Sequence, residues 1–461
     1  MKEYLVFFVH RHLDFRFPEL DALLTMQSLS PTECYSREAN PLSSPLVHIK
    51  LPSEAHAKFL SQRGILVKGV YEIWGHGKTY DEVVKSVATF EDRHAIVNDA
   101  SLTWKINVDA FGLKLSMDQQ VERRERFREV LPFAGAVQLS NPNNTFLVLE
   151  DIGVDEELHT PHRIFFLRTL AGAERNRGRG GARDLVDMQT LKRRAYIGPT
   201  SMDAEMALLM CNMALVMPGD LVIDPFVGTG SVLVPCTTFG GVCMGTDIDT
   251  RVLHGKNNKT IYSNFHQYNL PVPELVRADN SRSPLRCPGY FDAVVCDPPY
   301  GIRAGARKSG RRERPADESD ETAVTETGKP KYGPRVIPEE WLDTHIPATQ
   351  PYAAEDVMND LLAFAATNLR VGGRVVYLLP TTYDYTDDDL PVHPLLRVVA
   401  NSEEKLTTKY ARRLITMERV AEADASVAII NAKKDFSFAK LREKIVESNA
   451  TKRNVKAKHS E

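Results

Sequence analysis

Residues 291–301, Phe-Asp-Ala-Val-Val-Cys-Asp-Pro-Pro-Tyr-Gly, concentrate the chemistry of this 461-residue chain. Four apolar residues predict a strand that delivers Asp297, and Pro298 and Pro299 hold the chain extended beyond it. Fixed φ angles aim two acceptors, the Asp297 carboxylate and the Pro298 carbonyl, which together can hold both hydrogens of an exocyclic amino group. Tyr300 adds a flat face for a base, a contact worth roughly 1–3 kcal/mol. An amino nitrogen on an aromatic ring is a poor nucleophile, because its lone pair is delocalised. Acceptors that draw its hydrogens toward tetrahedral geometry localise that pair toward an electrophile.

A second constellation, Asp224-Pro225-Phe226-Val227-Gly228-Thr229-Gly230-Ser231, follows the apolar run 221–223. A strand that empties into a glycine-rich turn builds the ligand crevice of an open α/β sheet. Gly228 and Gly230 let backbone approach a ligand closely, since no Cβ intervenes. The spacing is neither GxGxxG nor GxxxxGK[ST], which weakens dinucleotide and P-loop readings. With Asp224 facing the crevice, a cationic ligand suits the turn better than a pyrophosphate. Asp247 ends the next strand, 23 residues on, where an acid accepts hydrogen bonds from the ribose hydroxyls of a nucleoside. Asp249 is the alternative for that role, or an N-cap of the following helix. At a third strand end Asp279 offers an acceptor for an adenine amino group.

These acids need a sheet to align them. From residue 219 onward apolar runs end in polar turns at 220–224, 241–247, 274–279, 291–297 and 373–379, with helical segments between most of them. That alternation predicts βαβ units around a mostly parallel sheet. Runs 395–399 and 426–430 are expected to close it as an antiparallel pair. A charged, Gly/Pro-rich insertion at 301–335 interrupts the order and reads as mobile, and a helix with a basic tail is expected at the end of the chain. The first half alternates strands (4–9, 45–51, 64–74, 104–112, 145–150, 163–167) with helices (18–28, 54–62, 119–130), an α/β or α+β pattern. Between residues 163 and 194 nine Lys/Arg face three Asp/Glu, as in a flexible basic connection.

Composition fits this picture. At 43% hydrophobic and 26% charged residues, a wholly disordered or collagen-like chain is excluded, and the length suggests two or three domains. A formal charge of -3 neither suggests nor forbids a nucleic-acid partner. No apolar stretch approaches the ~18 residues of a membrane span. The six cysteines contain no CxxC pair, which points away from a disulfide framework or zinc ribbon and toward a reducing intracellular compartment.

The Asp-Pro-Pro-Tyr motif after the fourth strand, with the glycine loop and Asp247-Ile248-Asp249 before it, resembles the S-adenosylmethionine-dependent amino-methyltransferases. Residues 195–300, including Gly198-Pro199-Thr200-Ser201-Met202, are similar to the tRNA guanine-N2 methyltransferases acting at position 10. Residues 64–75 resemble the eukaryotic catalytic subunit of that family. The resemblance implies an α/β fold in which a Rossmann-like class I methyltransferase sheet follows an α+β half. The implied parts are a ferredoxin-like domain (1–60), a THUMP RNA-binding domain (61–170), a basic linker (171–194), the methyltransferase domain (195–435) and a C-terminal helix with a basic tail (436–461).

It further implies methyl transfer from S-adenosylmethionine to the 2-amino group of a guanosine in tRNA, in the cytoplasm, with no metal required. Asp297, Pro298 and Tyr300 would hold the amino group, and Asp224, Phe226, Gly228 and Gly230 the methionine end. Asp247 would take the ribose and Asp279 the adenine, while Thr200 lines the cofactor. Arg175, Arg177, Arg179, Arg183, Lys192, Arg193 and Arg194 would meet tRNA phosphates. The implied partner is a small zinc-binding activator subunit that adds strand to strand at residues 274–277, the edge of the sheet in the usual strand order. A DNA adenine or cytosine amino-methyltransferase shares the Asp-Pro-Pro-Tyr chemistry, and a non-catalytic RNA-binding subunit could keep the same fold.

Overall fold

The computed structural model describes residues 1–153, 160–170, 182–285, 288–299, 305–310, 348–407 and 410–422. The chain divides into two compact units, Met1–Arg193 with Asp203–Leu215, and Arg194–Met202 with Val216–Glu461.

The first unit is built on a six-stranded sheet of β1 (Lys2–Phe8), β2 (Leu46–Leu51), β3 (Val67–Gly77), β4 (Trp104–Phe111), β5 (Asn144–Asp151) and β6 (Arg163–Thr169), in the order β2-β1-β3-β6-β5-β4. Only β4 and β5 run parallel; the other neighbours are antiparallel. Each expected strand is present within a few residues. The boundary expected at 60/61 falls inside the helix Glu54–Arg63, and one continuous sheet spans both sides of it, because β3 pairs with β1 on one side and β6 on the other. Trp74, Phe127, Phe146 and Phe166 fill the core over β3, β5 and β6, with Trp74–Phe146 centroids 4.8 Å apart and Phe127–Phe166 4.6 Å apart. The expected helix at 119–130 is shorter, Met117–Glu125, and starts on a capping box made by Ser116 and Gln119.

The helix Ala204–Met213, which precedes the second sheet in sequence, belongs to this first unit. Its Asn212 is fully buried; it accepts from Arg63 Nε at 2.6 Å and donates to Glu19 Oε1 at 2.8 Å and to the Arg63 carbonyl at 3.0 Å. Glu19 also accepts from the Ile65 and Leu66 N–H groups. A buried polar network of this kind is stable only when its members are satisfied, and this one ties three separate segments together.

The second unit holds a seven-stranded sheet: β7 (Leu221–Asp224), β8 (Val242–Asp247), β9 (Glu274–Arg277), β10 (Phe291–Cys296), β13 (Leu369–Thr382), β14 (Leu396–Lys405) and β15 (Tyr410–Arg419). A separate two-stranded hairpin consists of β11 (Arg307–Ser309) and β12 (Thr349–Pro351). The large sheet has the order β14-β15-β13-β10-β7-β8-β9; its strands from β9 to β13 are mutually parallel, and β15 is antiparallel to both β13 and β14. This is the expected Rossmann-like arrangement, with β9 at one edge. The helix Ala354–Asn368 buries Met358, Leu361, Leu362 and Ala365, a 3–4 residue repeat that faces β10 and β13 in one core.

Of the expected antiparallel closure, the run at 395–399 lies on β14, which pairs antiparallel with β15, and residues 426–430 lie outside the described residues. Arginines at 412, 413 and 419 interrupt the apolar pattern of β15. Arg419 is nevertheless buried, with its guanidinium on the Leu369 carbonyl, the Ala421 carbonyl and Glu422. The expected C-terminal helix and tail also lie outside the described residues, as does most of the insertion. Among the described residues no helix is long and apolar enough to cross a membrane.

Candidate active site

Parallel pairing brings four acids to one end of the sheet. Asp224 ends β7 opposite Gly245, Asp247 ends β8 opposite Arg277, Asp279 lies two residues beyond β9, and Asp297 follows β10. Because β10 pairs with β7 on one side and β13 on the other, Asp297 emerges where the strand order reverses. Crevices at such a switch point bind ligands in open α/β sheets.

The glycine loop is fixed from below. The Phe226 N–H donates to Asp224 Oδ1 at 2.9 Å, the Val227 N–H to the Thr246 carbonyl at 2.9 Å, and the Gly228 N–H to Asp247 Oδ2 at 3.0 Å. Gly228 and Gly230 have φ of 50° and 75°, the left-handed region. A Cβ on Gly230 would sit 2.8 Å from Ile261, whereas one on Gly228 would project into a space with nothing nearer than 3.8 Å. Gly230 is therefore a packing requirement, and Gly228 keeps a cradle open.

Burial pushes the Asp224 carboxyl well above the usual range; the Phe226 N–H draws it back, and the charges of Asp247 and Asp297 push it further up. Asp247 is also raised, first by burial, against the N–H bonds from Asp249 and Gly228. Carboxylates that destabilise one another in a shared crevice are a fitting environment for a cation. Asp249, by contrast, is held below the ordinary value, chiefly by Arg251, whose guanidinium bonds both its oxygens at 2.9 and 2.8 Å; it also caps the helix Thr250–His254. Asp249 thus has a capping role, while Asp247 is tied to the glycine loop through the Gly228 N–H.

Asp279 accepts from the Ser281 N–H and hydroxyl at 2.9 and 2.7 Å and from the Ser309 N–H at 2.6 Å. Burial pushes its carboxyl up, but these donors outweigh burial and the net shift is downward. Beside it, Asn280 Nδ2 is buried with no partner among the described residues. An orphaned buried donor costs about 1–3 kcal/mol, so this corner favours a ligand that brings an acceptor. The open cradle at Gly228, the acidic crevice and this donor together fit a cationic nucleoside cofactor.

Pro298 is buried and Asp297 half-buried at the strand end, while Tyr300 lies outside the described residues. Thr200 is exposed, and the residue of its turn that reaches the glycine loop is the neighbouring Ser201. The Ser201 hydroxyl accepts from the Gly198 N–H at 2.8 Å and meets the Thr229 hydroxyl at 2.7 Å, and the Met202 N–H donates to Ser231 Oγ at 3.2 Å. Ser201, Thr229 and Ser231 are not among the site residues expected from sequence. Their signal is hydroxyls flanking glycines, too common a pattern to select them.

Of the expected phosphate contacts, Arg175, Arg177 and Arg179 lie outside the described residues, and Lys192 and Arg193 are exposed. Arg183 donates to the Ile65 carbonyl at 2.8 Å and to Glu205 at 3.2 Å. Arg194 is only 6% exposed, which corrects its assignment as a surface phosphate contact: a guanidinium folded into protein cannot reach a backbone phosphate without leaving its place.

Comparison with known proteins bears on both units. Residues 2–175 match the family described as Tmrp11 THUMP N-terminal domain, and residues 192–313 the family described as RMKL-like, methyltransferase domain. The chain is 37% identical over 443 residues to the tRNA (guanine(10)-N(2))-methyltransferase TRMT11 of Mus musculus, covering 92% of this chain and 89% of the relative. Identity to the Homo sapiens protein of the same name is 36% over 444 residues, covering 91% and 89%. The Dictyostelium discoideum counterpart is 33% identical over 452 residues, covering 93% and 84%.

Proposed function

The chain belongs to the tRNA (guanine(10)-N(2))-methyltransferase family, and from that premise we propose that it transfers a methyl group from S-adenosylmethionine to N2 of the guanosine at position 10 of tRNA. The observation that carries the reading is the alignment of Asp224, Asp247, Asp279 and Asp297 at the ends of four adjacent parallel strands. When bound, the cofactor supplies a methyl group already activated by a positive sulfur.

The chain's own residues do the rest. Asp224, Phe226, Gly228 and Gly230 hold the methionine end, Asp247 the ribose and Asp279 the adenine, with the turn 198–202 beside the glycine loop. Asp297 and the Pro298 carbonyl accept the two amino hydrogens of guanine and turn the nitrogen lone pair toward the methyl group, while Tyr300 stacks on the base. Positioning of this kind can supply up to ~7–11 kcal/mol of barrier reduction for ideally placed reactants. Position 10 is stacked in folded tRNA, so the base is turned out into the crevice before reaction. The THUMP-containing half grips the tRNA, with Lys192 and Arg193 and the arginines at 175, 177 and 179 on its phosphates. The protein works in the cytoplasm, beside a zinc-binding activator subunit at β9.

Transfer of radiolabelled methyl to a mixture of tRNA, rRNA and DNA tests this. Label is expected in tRNA alone, recovered as N2-methylguanosine. Label in DNA adenine or cytosine would replace the reading with the DNA enzyme, and no label in any acceptor, with the activator present, would point to a non-catalytic subunit.

A further inference from the structure

The hairpin β11–β12 follows the Asp297 motif in sequence, yet it packs on the cofactor residues. Its Ser309 N–H donates to Asp279 Oδ2 at 2.6 Å. Its other side is apolar: Ala306, Tyr352 and Val357 form a buried cluster, and Phe226 of the glycine loop packs against it. The hairpin is held in place from outside. The Tyr352 N–H donates to the Ala306 carbonyl at 3.0 Å, the Tyr352 hydroxyl bonds Asp360, and Lys308 lies 5.2 Å over the Tyr352 ring while pairing with Asp356.

We propose that this hairpin is a wall of the cofactor crevice: Ser309 positions the Asp279 carboxylate for an adenine amino group, and Tyr352 supports Phe226, the apolar face that the glycine loop turns to the cofactor. A carboxylate offers about four lone-pair sites. Oδ1 accepts from the Ser281 N–H and hydroxyl and Oδ2 from the Ser309 N–H, with the Ser309 hydroxyl also bonding the carboxylate, so the hairpin fixes how the group is turned toward a ligand. Asn280 Nδ2, buried with no partner among the described residues, adds a donor next to Asp279 in the chain, so the two present an acceptor and a donor, the complement of an adenine edge. Ser309 and Tyr352 are thus positioning and specificity residues contributed by a segment that looks, in sequence, like the stem of an insertion. The inference rests on the site assignment made above for S-adenosylmethionine.

The test is calorimetric binding by the full-length chain of two probes, S-adenosylhomocysteine and S-inosylhomocysteine, which replaces the adenine amino group by a keto oxygen. Wild type is expected to prefer the adenosyl probe by about tenfold or more, since the keto oxygen leaves the Asp279 acceptor unmatched. Ser309→Pro removes both the N–H and the hydroxyl that Ser309 gives to Asp279 and should weaken the adenosyl probe by about tenfold and the inosyl probe by less than about twofold, so that the preference collapses. Tyr352→Ala should weaken both probes about equally, by about five- to tenfold, and Tyr352→Phe should restore both. Equal loss of both probes in Ser309→Pro, or unchanged binding in Ser309→Pro and Tyr352→Ala, would overturn the proposal. Asp247→Ala separates the two levels: if it weakens both probes while the hairpin variants do nothing, the hairpin inference alone fails, and if it too leaves binding intact, the site assignment fails with it.

Discussion

At the scale of single residues, the proposed reading gives one of the four strand-end acids to the acceptor base and three to the cofactor, and substitution can separate them. Asp297→Ala is expected to lower methyl transfer by a factor of at least ~10³, as when a group made for the transition state is removed. Its affinity for S-adenosylhomocysteine should stay within a few fold; turnover near that of wild type would refute the role given to Asp297. Asp247→Ala should do the reverse at the binding step, because it removes the acceptor that also holds the Gly228 N–H. Asp249→Ala removes only a helix cap and the Arg251 pair, so a loss of about 0.5–2 kcal/mol in stability with unchanged cofactor binding is expected. Unfolding curves and calorimetry on the same two variants decide between Asp247 and Asp249. All four acids are legible in the sequence, since each ends an apolar run. The hydroxyls of Ser201, Thr229 and Ser231 are not, because their role depends on a turn and a loop 28 residues apart that meet only after folding.

At the scale of elements, hydrophobic runs locate the strands of both sheets, and they fail where polar residues are buried. β15 escapes a hydrophobic reading because Arg412, Arg413 and Arg419 break its alternation, although Arg419 is satisfied inside by backbone carbonyls and Glu422. The helix Ala204–Met213 is legible as a helix leading into the methyltransferase sheet, but its membership of the first unit depends on Glu19 and Asn212, 193 residues apart. Glu19 is fully buried, and burial raises its carboxyl from 4.5 to about 6 against the bonds from Ile65, Leu66 and Asn212. Between those values the folded chain keeps a proton that the unfolded chain releases, so this group's stabilisation is present at low pH and lost as pH rises through about 6. The loss is about 2 kcal/mol for a shift of this size. The stability difference between wild type and Glu19→Gln should therefore move by about that amount between about pH 4 and pH 7, in favour of the variant at the higher pH. A difference that stays constant across that range would mean that Glu19 titrates normally.

At the scale of the whole molecule, the proposed reading brings two partners to the chain, an RNA and a second protein, and each has its own signature. For the RNA, neutralising Arg175, Arg177, Arg179 and Lys192 together should shallow the salt dependence of tRNA binding. The slope should fall by a little under ~1 log unit for each phosphate that these side chains pair with, whereas an unchanged slope would leave the segment a plain linker. For the protein, the argument starts from β9. It is a four-residue strand that pairs with β8 and stands at the end of the sheet order, so its other side carries the edge of the backbone ladder. Glu274 and Arg277 are exposed, Leu275 and Val276 half-buried, and Val272 just before the strand is 48% exposed. Pro271 and Pro273 precede the strand and blunt only its entry. An edge of this kind is a template for strand addition, and charged ends with an apolar middle suit one specific partner strand better than solvent. The chain alone should therefore be poorly soluble or inactive, and co-expression with the zinc-binding activator should restore both properties. Hydrogen exchange at residues 274–277 should slow when the activator binds, since amides directed outward from the edge gain acceptors. A monodisperse, fully active chain on its own would overturn this expectation, and so would equal protection of residues 274–277 with and without the activator.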